Sequence, residues 1–164
     1  MSTTRVALKY GLFIGLGVWC YSLAVHFLNL NDFELSWLKS VIWIAGMMIA
    51  IKEFRTQNEE LLTYKQGLNI GILSSTIGSF FEALFLLLNI IVLNPKLPEM
   101  YRALMMKSYE NADLSEKELA QITDLVAFAS KPNMLFIGTV LGGILFGLFF
   151  SLVLSAIMRS DSAK

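Results

Sequence analysis

The charges of this chain fall in blocks separated by long uncharged runs. No Asp, Glu, Lys or Arg occurs from Tyr10 to Leu28, from Val41 to Ile51 or from Met134 to Met158, and Glu82 alone interrupts Gly67 to Leu93. Crossing about 30 Å of hydrocarbon takes roughly 20 residues of helix. The runs lack the period-two alternation of a barrel strand, and helices and closed barrels are the only folds that satisfy every backbone group in lipid. The pattern predicts an all-α integral membrane protein, a four-transmembrane-helix bundle with spans near 7–29, 35–52, 66–93 and 134–158. The second span is the shortest; Trp37 and Trp43 near one boundary and Lys52 at the other serve as its interfacial end markers.

The insertion 94–133 has a helical period of its own. In "PKLPEMYRALMMKSY", Met100, Tyr101, Leu104 and Met105 recur at helical spacing behind Pro98, a residue suited to a first turn. In "LSEKELAQITDLVAFA", Ser115 and Glu118 form a capping box, Leu119, Ile122, Val126 and Ala129 fall on one face, and Gln121 and Asp124 on the other. These are two short amphipathic helices in the outer loop between spans 3 and 4, resting on the membrane surface or covering the bundle mouth. They would serve as a lid over helix ends or as a docking surface.

Composition narrows the class. The chain is 55% hydrophobic and 16% charged, with a mean hydropathy of +0.62, against roughly 25% charged in a soluble domain. Its formal net charge is zero, which removes a bulk electrostatic case for nucleic acid or for a polybasic lipid anchor. The single cysteine, Cys20, excludes an internal disulfide. "YSLA" offers a passable cleavage pattern, but the first apolar run is longer than a signal peptide's, so the span is read as retained. Arg5, Lys9, Lys52, Arg55, Lys65, Arg159 and Lys164 lie near span ends on one side, while the opposite short connection carries Asp32 and Glu34. The positive-inside rule then places both termini in the cytoplasm.

Small residues recur every fourth position: Gly67, Gly71, Ser75 and Ser79 in the third span, Gly143, Gly147, Ser151 and Ser155 in the fourth, with further pairs at Gly11 and Gly15 and at Gly138 and Gly142. Such stripes permit close backbone approach between helices in lipid, either within a compact bundle or at a homodimer seam. "KYGLFIG" at 9–15 also returns as "KQGLNIG" at 65–71, five of seven positions being identical. Either a helical unit duplicated, or both copies share an entry chemistry in which a snorkelling lysine precedes packing glycines. The same offset carries His26, the only histidine, onto Glu82, the only carboxylate within a span. Each stands about 22 Å of helix beyond its glycine. The two would share a depth and form an intramembrane polar pair. Alternatively His26 reaches the headgroups and Glu82 is neutral or hydrogen-bonded to a hydroxyl.

No H-E-x-x-H, G-x-S-x-G, P-loop or cysteine pair occurs, and the pattern predicts no catalytic, cofactor-binding or metal-binding residues and no enzyme. "LKYGLFIG", "LSWL", "IKEFR" (51–55), "LTYKQGLNIGIL" (62–73), "LSEKEL" (114–119) and "GGILFGLFFSLVLSAIMR" (142–159) occur in an order and spacing that resemble the domain-of-unknown-function 4199 family. That resemblance covers nearly the whole chain and implies a small four-span protein of a bacterial inner membrane, with no activity to carry over. The expected function is that of an accessory or scaffold subunit acting on other membrane subunits or on itself. The alternative is a minimal oligomeric transporter or channel with His26 and Glu82 on a polar path.

Overall fold

The computed structural model describes residues 2–28, 32–110, 112 and 114–160. Lys164, counted above for orientation, lies outside them, as do residues 29–31 of the short acidic connection and the side chains of Asp32 and Glu34. Six α-helices follow one another: α1 (Thr3–Phe27), α2 (Asp32–Gln57), α3 (Tyr64–Leu88), α4 (Leu97–Lys107), α5 (Glu116–Ala129) and α6 (Pro132–Met158), with a single π-helical turn at Asn89–Leu93 extending α3. The chain divides into two compact units. One is Met1–Glu82 with Thr139–Lys164, the other Ala83–Gly138.

Among the described residues, three helices are long and apolar enough to cross a membrane: Thr3–Phe27, Tyr64–Leu93 and Pro132–Met158. The second expected span, 35–52, lies within α2, which is just as long at 26 residues. Its uncharged run between Lys39 and Lys52, however, covers only about 18 Å of helix rise. Length therefore does not set α2 apart, though Lys39 and Lys52 bound a shorter uncharged run than the longest one in each of α1, α3 and α6.

The first unit is built on small residues. Along α3 and α6, a Cβ placed on Gly67 would come within 2.9 Å of the Ser155 hydroxyl, and one on Gly71 would overlap Ser151. Further along, a Cβ on Gly147 would overlap Ser75, and one on Gly143 would overlap Ser79. Each four-residue step up α3 is met by a four-residue step down α6, so the two helices run antiparallel in one unbroken register. Gly11 and Gly15 of α1 pack against α3 instead: a Cβ on either would come within 2.6 Å of the Cβ of Ile77 or Phe81 respectively. Gly138 and Gly142 do neither: among the described residues nothing lies within 4 Å of a Cβ at either. Among the described residues, these two glycines therefore support no close helix contact.

Side chains of α1, α2, α3 and α6 form the core, with Val6, Ile14, Val18, Met47, Ile51, Phe54, Leu62, Ile70 and Leu154 buried together. Trp43 differs from its expected role as an interfacial marker. It is buried, 6.1 Å from the Phe146 ring between centroids, and its ring edge would meet a Cβ on Gly143 at 3.2 Å. Trp37 is the exposed one.

After α2, Glu59 and Glu60 both take left-handed backbone, with φ of 54° and 63°. Their turn is held by the Glu60 N–H donating to the Arg55 carbonyl at 3.0 Å, by Asn58 Nδ2 donating to the Leu61 carbonyl at 2.8 Å, and by an Arg55–Glu60 ion pair at 3.1 Å. Next comes Leu62, fully buried, which exchanges both backbone hydrogen bonds with Ser160 beyond the end of α6.

In the second unit, α4 and α5 occupy the two expected positions. Pro98 stands in the first turn of α4, and Ser115 and Glu118 form both halves of the capping box of α5. The Ser115 hydroxyl and amide hold the Glu118 carboxylate below the ordinary glutamate range.

Gly147→Val, which drives a branched side chain into Ser75, should destabilise the protein by at least ~1–3 kcal/mol. Gly142→Ala should be neutral or stabilise by up to about 1 kcal/mol. Thermal unfolding of the purified chain in mild detergent measures both, and equal losses at the two positions would contradict this register.

Candidate functional site

A polar cluster joins the start of α1 to the end of α2. Lys9 sits two turns into α1, where the helix rise brings it level with Glu53. Its ammonium donates to both carboxylate oxygens of Glu53 at 3.0 Å. Tyr10, the next residue, donates its hydroxyl to Oε2 of the same carboxylate. Gln57, one turn beyond Glu53, donates Nε2 to Oε1 at 3.0 Å. One carboxylate thus accepts from three side chains, and the Tyr10 hydroxyl, followed by the Lys9 ammonium, holds it below the ordinary glutamate range. Lys9 is half exposed and Glu53 less so, so the ion pair itself contributes no more than about 1 kcal/mol. Its geometry matters more: it fixes the rotation of α1 against α2. At the other end of the same pair, the Tyr21 hydroxyl donates to the Leu35 carbonyl at 2.7 Å, and Lys39 lies over the Tyr21 ring at 5.6 Å.

Glu53, Tyr10 and Gln57 were not singled out from sequence, which reads Lys9 as a snorkelling lysine. The signal was present, since "KY" and "IKEFR" both fall in the segments that carry the family resemblance. The second copy of the motif does not repeat this chemistry. Lys65 is exposed and makes no ion pair among the described residues, and Gly67 and Gly71 pack on α6 whereas Gly11 and Gly15 pack on α3.

The same contacts correct the expected depth of His26 and Glu82. Gly11 meets Ser74 and Ile77, and Gly15 meets Gly78 and Phe81, with the Glu82 amide nitrogen 3.6 Å from a Cβ at Gly15. Glu82 is therefore level with Gly15. His26 stands eleven residues further along α1, about 16 Å of rise. The two helices are staggered: Gly11 and Gly15 of α1 lie against Ser74 to Glu82 of α3, while Gly67 and Gly71 of α3 lie against α6. Glu82 is half-buried; His26 is exposed in the last turn of α1, its ring edge-on to Phe27 at 5.5 Å.

The hydroxyls of the seam turn back on their own helices. Ser74 donates to the Ile70 carbonyl at 2.6 Å, Ser75 and Thr76 to that of Ile72 at 2.9 and 2.8 Å, Ser79 to Thr76 at 3.0 Å and Ser151 to Leu148 at 3.1 Å. Only the Ser155 hydroxyl is buried there without a partner among the described residues. Also among the described residues, no three of His, Cys, Asp and Glu gather closely enough to hold a metal ion.

Residues 9–160 match the profile of the family described as "Protein of unknown function (DUF4199)". The chain belongs to the DUF4199 family. No curated protein and no solved structure matches it. The DUF4199 match opens at Lys9, which binds Glu53, and closes at Ser160, which binds Leu62. It therefore contains both polar ties of the first unit.

Because the carboxyl of Glu53 is depressed in the folded state, its stabilising contribution is complete above its unfolded value, ~pH 4.3, and is lost as pH falls through the lower folded value. Glu53→Gln should remove that part of the acid-side loss while leaving stability near pH 7 within about 1 kcal/mol of the parent. Melting temperatures of the two chains between about pH 3 and 7 test this, and parallel curves would show that the cluster does not titrate with folding.

Proposed function

We propose that this DUF4199 chain is a four-span protein of a bacterial inner membrane. In this reading α1, α2, α3 and α6 form a four-helix bundle, and the chain acts as an accessory or scaffold subunit through helix packing and surface contacts, without enzymatic chemistry. The observation that carries the reading is the α3–α6 seam. Glycine of one helix meets serine of the other at four successive levels, and all but one of its hydroxyls are hydrogen-bonded within their own helix. Polar residues there serve packing and line no path between the two helices.

Orientation follows from the polar ties. The Lys9–Glu53 pair and the Leu62–Ser160 bridge gather the start of α1, the end of α2, the start of α3 and the end of α6 at one end. Arg5, Lys9, Lys52, Arg55, Lys65 and Arg159 belong to that end, which supports a cytoplasmic placement for it and for both termini. α2 would cross with its Lys39 end stretched toward the far interface. The transporter or channel alternative relied on His26 and Glu82 acting at one depth, and a separation of about 16 Å along the helix axis takes that support away.

Purification of the tagged chain from its native membrane in mild detergent, followed by size-exclusion chromatography and quantitative mass spectrometry, is the test. A second membrane protein at fixed stoichiometry, retained when Glu82 is replaced by Gln, is the expected result. A homogeneous homo-oligomer in which a water-soluble carbodiimide modifies Glu82 would overturn it in favour of the polar path.

A further inference from the structure

The second unit presents apolar side chains that its own packing leaves uncovered. α4 and α5 pack on each other, yet α4 buries none of its residues and α5 only Val126. On α4, Met100 and Leu104 are 53% and 47% exposed, and Lys96 and Lys107 flank them at helical spacing on the same face. On α5, Leu119 of the expected face is 45% exposed, and Leu125 and Phe128 beside that face are 66% and 51% exposed, with the ammonium of Lys131 5.4 Å from the centre of the Phe128 ring. Each helix thus carries an apolar pair with lysine beside it, Lys96 and Lys107 on α4 and Lys131 just past α5.

Chain connectivity says what covers them. α4 is joined to the end of the apolar stretch Tyr64–Leu93 by Asn94, Pro95 and Lys96, and α5 to the start of α6 by Ser130 and Lys131. Three residues reach at most about 10 Å and two about 7 Å. The first turn of α4 and the last turn of α5 are therefore tethered within that distance of the points where the chain leaves and re-enters the bilayer. On the chain segments leading to α4 and away from α5, Ile91 and Val92 of the π-helical turn and Ile137 of α6 are exposed as well.

We infer that α4 and α5 are a lipid-binding element: Met100, Leu104, Leu125 and Phe128 insert about 5–10 Å into the outer leaflet, while Lys96, Lys107 and Lys131 reach the phosphates of the headgroup layer. The occupant of this surface is phospholipid, and the element sets the depth at which the outer end of the protein rides. This inference rests on the membrane-spanning reading above.

Nitroxide scanning of the full chain in phosphatidylcholine–phosphatidylglycerol vesicles tests it. On a Cys20→Ser background, labels at Met100→Cys, Leu125→Cys and Phe128→Cys are compared with Arg102→Cys, half a turn round α4 from Leu104, and with Leu145→Cys, exposed on α6. At 100, 125 and 128 the ratio of oxygen to nickel-chelate accessibility should be severalfold higher than at 102 and approach that at 145. Ratios equal to that at 102 would overturn the inference, as would protection from both reagents, which would mean that a protein or a second copy covers the surface. A hydrocarbon value at 145 in either case would leave the spanning reading intact; a water value at 145 would remove both.

Discussion

In lipid a helix gains little by hiding leucine, because the tails around it are equally apolar, so association depends on how closely two backbones can come. The α3–α6 seam meets that condition at four levels, and it does so with a division of labour. At the first two levels α3 supplies the glycine and α6 the serine; at the next two the roles reverse. No level sets serine against serine, so each holds a single small side chain between the backbones and the helices stay equally close along about 18 Å of α3. α1 takes a neighbouring face of the same stretch of α3, packing its own glycines against Ser74 to Glu82.

The polar contacts are placed where that packing ends. Lys9, Tyr10 and Gln57 converge on Glu53 at one end of the α1–α2 pair, and Tyr21 with Lys39 joins the other end. α2 is the least apolar of the four long helices, and its hold combines these end contacts with Trp43 against Phe146 and with Gly46, which admits Ile14. The strained turn at Glu59 and Glu60 belongs to the same logic. Two left-handed non-glycine residues cost of order 1–2 kcal/mol each, and they deliver Leu62 into the core, where Ser160 satisfies its backbone.

The long helices and the α5 cap were legible because they depend on local signals: the length of an uncharged run, or a Ser–x–x–Glu at a helix start. The partners of the stripes were not. A period of four announces a packing face but is silent on which helix meets it, so Gly67 and Gly143 looked equivalent to Gly138 and Gly142, where a Cβ would meet nothing within 4 Å among the described residues. The "KYGLFIG" repeat suggested helices in step, and tertiary packing staggered them, separating His26 from Glu82. Lys9 looked like a lone snorkelling residue because its acceptor lies 44 positions away. Trp43 looked interfacial because its neighbours in sequence are; the glycine that makes room for its ring stands on another helix.

The seam has one further property. Its repeat is the same on both helices, so sliding α6 along α3 by one four-residue step, roughly 6 Å, would again bring small residues opposite small residues: Gly71 to Ser155, Ser75 to Ser151, Ser79 to Gly147. The interface that brings the backbones together therefore favours its own alignment only through the level lost in that step and the one serine pair, Ser75 against Ser151, that it creates. Further selection among the aligned states falls to features that cannot slide: the paired Leu62 and Ser160, which close the two helices into a loop of fixed length, and the Trp43 ring seated beside Gly143. In this fold, affinity between helices and choice of alignment reside largely in different residues.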